Sequence, residues 1–359
     1  MMAFILPPLH FVFASDSTLN KADLESTLSN LQTALKKDPK SERIKQNLSA
    51  ALTDQARVFF ERKQTDQAFS NLKEAVSLAP KNGPAWFFLG DIAYLQQSDF
   101  RYALKCWKKA FPLAPSEIQR QITERISRAE LDNHLEQGHV VFPSKHFDIR
   151  YPVSFSKEEA RRIGDFMEGE YSKLAAELNT SPARLTLIVY QKQSFDRLTG
   201  QHDETLGMYD GRIRIGAKDI GGPFEAIILS HELAHAFLQH AFGNNLPIWI
   251  QEGYAQAKEP QRVLTEDQKR IDRELSSGAG WIPLKWLDRK FSQPTNLEDV
   301  TRSYLQSRRV VRYLLRSGKG AAFQQFVERI TKGETTKEAF LAEYPGLSWN
   351  SIEHGRFKE

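Results

Sequence analysis

Cysteine is almost absent from this chain: Cys106 is the only one among 359 residues. A lone thiol excludes an intramolecular disulfide, a CxxC redox pair and a cysteine-built zinc site, so any metal must be held by His, Asp or Glu. Long apolar runs are also missing, and no stretch of ~18 or more uninterrupted apolar residues marks a membrane span. Neither sign of charge dominates. With 49 basic against 45 acidic residues and a formal charge of +4, nothing demands nucleic acid or an acidic lipid surface as a partner. There is no P-loop, no dinucleotide-binding glycine fingerprint and no GxSxG elbow. What is present is ordinary globular material, 40% hydrophobic with 23 Phe and 6 Trp. That is enough for two or three domains.

The first residues, Met1 to Ala14, read MMAFILPPLHFVFA and are followed at once by polar sequence. Val12 and Ala14 stand as small residues before a cleavage point, which gives the expectation of a secretory signal over 1–14. No Lys or Arg precedes the apolar run, and Pro7, Pro8 and His10 interrupt it. A frayed N-terminal tail is the alternative. Export to a bacterial periplasm or cell envelope is the expected localisation, with the cytoplasm as the other reading.

An internal repeat follows. Ala68, Leu72, Ala75 and Pro80 recur as Ala103, Trp107, Ala110 and Pro115, each displaced by 35 residues, which is the signature of a stacked helical hairpin. An earlier helix, Leu24 to Lys37, reads as the second half of a degenerate first unit, and an extended helix runs from about Ser41 to Lys63. With Trp86, Leu89 and Gly90 ahead of Ala103, the stretch resembles the tetratricopeptide repeat family over about 100 residues. It departs from that pattern in the long helix and in a one-residue insertion before Ala103. Arrays of this kind imply a concave groove for a protein or peptide partner, the alternative being simple packing against the next domain. A charged helical stretch from Pro115 to about 138 fits a capping helix.

A boundary is expected near 140, because the pattern then turns mixed. HFDIRYP alternates as a strand, and Lys157 to Leu178 forms an amphipathic helix with Ala160, Ile163, Phe166, Tyr171, Leu174 and Ala175 inward. RLTLIVY reads as a second strand, and GMYDGRIRIG as a hairpin turning at Asp210–Gly211. Tyr209 and this hairpin offer an edge on which an extended peptide can pair.

The chemistry lies in FEAIILSHELAHAFLQHAF. Gly221, Gly222 and Pro223 break the chain before it, with Pro223 suited to the first helical turn, and Gly243 follows as a C-terminal cap. His231 and His235, four apart on a helix, share one face and can converge on a cation, with Glu232 beside them. Neutral imidazoles at that spacing suit zinc. A third protein ligand would leave one position open, and Glu252, in the short helix bracketed by Pro247 and Pro260, can return across the same face. Gln256, one turn on, is the expected hydrogen-bond partner of a ligand imidazole. Manganese, cobalt or iron suits the same donors.

These residues, with SHELAH, WIQEGYA and SYLQSRRVVRYL, resemble the gluzincin group of zinc metallopeptidases, in particular the peptidase MA-like domain found behind tetratricopeptide repeats in bacterial proteins. The resemblance implies that His231, His235 and Glu252 hold one Zn2+ per chain and that Glu232 is the general base. It covers about residues 145–350 and lacks a GxMEN motif, so aminopeptidase activity is not implied. Tyr304 is a candidate donor to a developing oxyanion, or else a core tyrosine. Arg308, Arg309, Arg312 and Arg316 form a basic stripe that either grips an acidic group or a carboxyl terminus, or is a solvated helix face. His202 and His240 fall outside the ligand spacing and are expected at the surface. Cys106 is expected to be structural, since no His is spaced to activate it.

The expected molecule is therefore multidomain: an all-α, tetratricopeptide-like helical repeat domain over 20–138, then an α+β zincin-like metallopeptidase domain over 140–359. It would hydrolyse peptide bonds in a protein or peptide substrate, with a partner recruited through the repeats. A catalytically silent zinc-binding scaffold whose repeats mediate protein interaction is the alternative.

Overall fold

The computed structural model describes residues 21–62, 64–95, 98–199, 206–243, 245–260 and 264–357. The signal expected over 1–14 and His202 lie outside these residues. The chain divides into two compact units, one ending at Gln137 and the other starting at Gly138.

The first unit is entirely helical among the described residues. It comprises α1 (Lys21–Lys37), α2 (Glu42–Glu61), α3 (Thr65–Leu78), α4 (Gly83–Leu95), α5 (Phe100–Ala110) and α6 (Ser116–Leu135). Helices α2 with α3, and α4 with α5, pack as hairpins. The repeated positions explain why: Ala68, Leu72, Ala75, Ala103, Trp107 and Ala110 are all fully buried, so small residues let the paired helices close while Leu72 and Trp107 fill the space between them. A Cβ on Gly90 would meet the Trp107 indole at 2.5 Å, so only glycine admits that ring. Where the insertion precedes Ala103, Ser98 takes a left-handed φ of 49°, the backbone form a side chain rarely adopts. Cys106 is a buried free thiol whose pKa burial pushes up to about 12, which suits packing and not nucleophilic chemistry.

The second unit combines helices with a small mixed sheet. Its elements are β1 (His139–Pro143), β2 (Phe147–Pro152), α7 (Lys157–Leu178), β3 (Leu185–Tyr190), α8 (Lys192–Thr199), β4 (Gly207–Tyr209), β5 (Ile213–Gly216), α9 (Glu225–Phe242), α10 (Ile248–Lys258), α11 (Glu266–Ser276), α12 (Leu284–Ser292), α13 (Leu297–Thr331), α14 (Thr336–Glu343) and α15 (Trp349–Glu353). The strand order is β1-β2-β3-β5-β4. β1 and β4, at the two edges, run antiparallel to their neighbours, while β2, β3 and β5 are parallel. Alternation sends Phe147, Ile149, Leu187, Val189, Ile213 and Ile215 into one core, and α7 and α9 cover that face, with Tyr171 edge-on to Phe237 at 4.9 Å.

The inward stripe of α7 differs from the expected one. Gly164 and Met167 are fully buried, whereas Phe166 and Ala175 are only partly buried at the edge of the core. Gly164 sits 3.2 Å, by a notional Cβ, from Ile149, so glycine sets how closely α7 lies on β2. Among the described residues no helix is long and apolar enough to cross a membrane.

Candidate metal centre

Helix α9 is buried along most of its length, from Ile227 to Leu238. Leu229, Leu233, Ala236 and Phe237 face the core, and the same helical turn carries His231 and His235 to another face. The helix begins two residues after Pro223, which therefore precedes it and does not occupy its first turn. It ends at Gly243, φ 80°, where glycine turns the chain sharply back toward α10.

Helix α10 is pinned at both ends. Asp288 on α12 accepts from Trp249 N at 3.0 Å, capping otherwise unpaired amides at the helix start. Near the other end, Tyr254 Oη donates to Glu177 at 3.0 Å and Lys258 Nζ at 2.6 Å, tying the helix to the C-terminal turn of α7. Between these clamps Gly253 lies against α13, where an added Cβ would stand 2.5 Å from Ser307 O.

So held, α10 aims Glu252 at the α9 histidines. Glu252 Oε2 is 3.4 Å from His231 Nε2 and Oε1 is 3.5 Å from His235 Nε2. The two Nε2 atoms are 3.2 Å apart, and the three donor atoms all lie within 4.8 Å of one another. Glu252 is fully buried, and neither of its oxygens has a hydrogen-bond partner. A buried carboxylate without donors is costly, and a cation held jointly with two imidazoles removes that cost. The group His231, His235 and Glu252 can hold a metal ion, and its donors are of the type that hard to borderline divalent ions take.

Electrostatics sort the surrounding groups. Burial holds His235 down at about 4, against the pull of the Glu252 carboxylate and with the neighbouring His231 adding to the effect. His231 is lifted by the carboxylates of Glu252 and Glu259 against the opposing effect of burial. Glu232 is 2% exposed and is pushed up to about 8, first by burial and then by the nearby Glu252, Glu259 and Asp210 charges, with His231 opposing. No hydrogen bond or ion pair holds it among the described residues. A Cβ at Gly207 would lie 2.9 Å from Glu232 Oε1, so the edge strand β4 passes directly beside this carboxyl.

Family models and curated proteins give no match to this chain.

The partner of the His231 ring is a residue that sequence reading passed over. Glu259 Oε1 lies 2.8 Å from His231 Nδ1, fixing the tautomer and turning Nε2 toward the cluster. Gln256, expected in that role, makes no such contact and instead lines a recess with Glu259. Glu259 follows the last residue of α10, Lys258, in extended backbone, so its reach to the imidazole is set by how the chain leaves the helix, which spacing along α10 does not give.

Tyr304 is not brought into the ligand group. It is buried at 7%, edge-on to Phe291 at 5.0 Å, and forms part of the wall of the recess that Glu259 also lines. The basic stripe is not a uniform solvated face either: Arg309 pairs with Asp272 at 3.2 Å, Arg316 is exposed, and Arg308 turns into the recess. His240 is half-buried at the end of α9, and not at the surface as expected.

Proposed function

We propose that this chain is a zinc-dependent metallopeptidase with an α+β zincin-like second unit, preceded by tetratricopeptide-like hairpins that recruit a protein. The observation that carries the reading is the buried convergence of His231, His235 and Glu252 around donorless carboxylate oxygens, with Glu232 beside them and held by no hydrogen bond or ion pair among the described residues.

In this reading the three residues hold one Zn2+ and leave a coordination position free. When bound, the ion supplies Lewis acidity, polarising a carbonyl and making water at the open position easier to deprotonate. Everything else falls to the chain. Glu232 takes a proton from the attacking water on a carboxylate oxygen and returns it to the amine of the departing peptide. As a carboxylate it can accept that proton and, once protonated, release it. Glu259 keeps the His231 ring in register by accepting from Nδ1. Strand β4 is a free edge beside Glu232, and an extended peptide can add to it by main-chain hydrogen bonds. Tyr304 is left with a wall position, and the oxyanion role proposed for it needs movement of its side chain.

A scaffold that keeps zinc for structure has no use for an unpaired buried acid at 232, which favours the enzyme. Export through the N-terminal segment belongs to the same proposal. The decisive experiment is elemental analysis of protein purified without added metal, beside His231→Ala and Glu252→Ala. Near-stoichiometric zinc in the wild type and none in either variant is expected. Glu232→Gln should keep its zinc while losing about 10²- to 10⁴-fold in peptide hydrolysis, and unchanged turnover in that variant would remove the assigned base.

A further inference from the structure

Next to the metal cluster lies a recess whose chemistry the proposed hydrolysis does not use. Helix α13 lines it with one face, Thr301, Tyr304, Leu305 and Arg308, which are spaced three and four residues apart. Gln256 of α10 and Glu259, the residue after that helix, also line it. The recess is therefore one side chain away from His231, through the 2.8 Å contact with Glu259.

Arg308 is the cation of this recess among the described residues that line it. The basic residues around it are neutralised by acids. Arg302 is held by Glu274 and Glu298 at 2.7 and 2.8 Å, Arg270 by the same two acids at 2.8 and 2.9 Å, and Arg309 by Asp272. Among the described residues Arg308 has no such acid, and its Nε is buried without a hydrogen-bond partner. The recess contains one acid, Glu259, and its contact is with the His231 ring. A buried, partnerless guanidinium N–H costs free energy until an acceptor arrives, and the planar fork is suited to a carboxylate in two parallel bonds.

Size narrows the ligand. The space open to the centres of water-sized groups is about 30 Å³, against ~10–15 Å³ for one water. That suits a carboxylate and excludes a phosphorylated nucleotide. The apolar lining from Leu264, Leu297, Val300 and Leu305 accommodates the methylenes that carry such a group.

We propose that Arg308 receives a carboxylate of the polypeptide substrate, from an acidic side chain or the chain terminus, and so sets a preference for acidic groups beside the metal cluster. The assignment rests on the metallopeptidase reading for the word substrate, but the binding site itself does not. Arg308 is a specificity residue and stands apart from the proton transfer at Glu232.

The test reads binding without turnover. The ¹⁵N-labelled full chain is titrated with three capped tripeptides, observing the arginine Nε–Hε signals by NMR and identifying that of Arg308 by its loss in Arg308→Lys. One peptide carries a central Glu with an amidated terminus, the second a central Gln with a free terminus, the third a central Gln with an amidated terminus. A saturable shift of the Arg308 signal with the first peptide identifies a side-chain carboxylate, and with the second a terminal one, while the third leaves it unmoved. Arg308→Ala should weaken the binding at least about tenfold with an unchanged melting temperature, and Arg308→Lys should recover part of it. No shift with either carboxylate peptide, or an equal shift with the neutral one, overturns the proposal whatever the metal content. A retained carboxylate shift in a chain that holds no zinc and cleaves nothing would overturn the substrate assignment and, separately, the peptidase reading.

Discussion

Both units of this chain bury acidic groups completely, and they treat them in opposite ways. In the helical unit Asp91 is 0% exposed, yet it receives Arg125 Nε at 2.9 Å and Trp107 Nε1 at 3.0 Å. Asp132 is likewise met by the Tyr94 hydroxyl and by Arg128 at 3.6 Å. These charges close on each other. In the other unit Glu252 and Glu232 are also buried; among the described residues no Arg or Lys pairs with either, and Glu252 faces the imidazoles of His231 and His235. Buried charge that is paired specifies how helices meet; buried charge left open is maintained for something that binds or reacts. The contrast singles out the carboxyls beside His231 and His235 without reference to any motif.

The comparison can be broken most forcefully at Asp91. Replacing it with Ala removes the acid that faces Arg125, 3% exposed, and should cost about 3–5 kcal/mol in denaturant unfolding of the helical unit. Adding Arg125→Met should recover most of that loss. A single-variant loss below about 1 kcal/mol would mean that this pair holds nothing together.

Glu252→Leu should act with the opposite sign. With a chelator present, the variant should be as stable as the wild type or more so, because an uncompensated carboxylate has been replaced by a side chain suited to burial. Zinc at about a thousandfold over its Kd should raise wild-type stability by about 4 kcal/mol and leave the variant unchanged. Thermal melts with and without metal decide it; a variant that melts lower in chelator would place Glu252 among the structural acids.

A smaller effect comes from pH. Burial pushes the Asp91 carboxyl up to about 6 against the pull of Arg125, so the folded state binds this proton more tightly than the unfolded chain, where an aspartate titrates near ~3.9. The sign follows from linkage: this contribution stabilises the helical unit as pH falls from about 6 toward 4 and is lost above 6, by at most about 3 kcal/mol. Hydrogen exchange of α4 to α6 at pH 5 and 7.5 should show the slope in the wild type and not in Asp91→Asn.

Much of the site could be read from sequence because it depends on local regularities. Helical periodicity puts His231 and His235 on one face, and Pro247, Pro260 and Gly243 mark where two helices stop. What could not be read depends on contacts across the chain. Tyr304 had a suitable side chain and an undefined place, since the path of α13 is set by packing on α10 at Gly253 and Ser307. Glu259 was passed over because Gln256 lay one turn nearer, and it is the extended backbone where the chain leaves α10 that places Glu259 against the imidazole. In α7 the stripe rotated from Phe166 to Met167 and Gly164 because close approach to β2 favours a glycine over a large ring. The hairpin positions Ala68, Leu72, Ala103 and Trp107 were legible for the converse reason: their burial follows from a period that the sequence repeats.

Gly253 carries one more consequence. Because no side chain separates α10 from the backbone of α13, the part of α10 that carries Glu252 is fixed by that interface. Exchange of an ion held by this carboxylate should therefore follow the breathing of the helix interface as well as the strength of the three ligands.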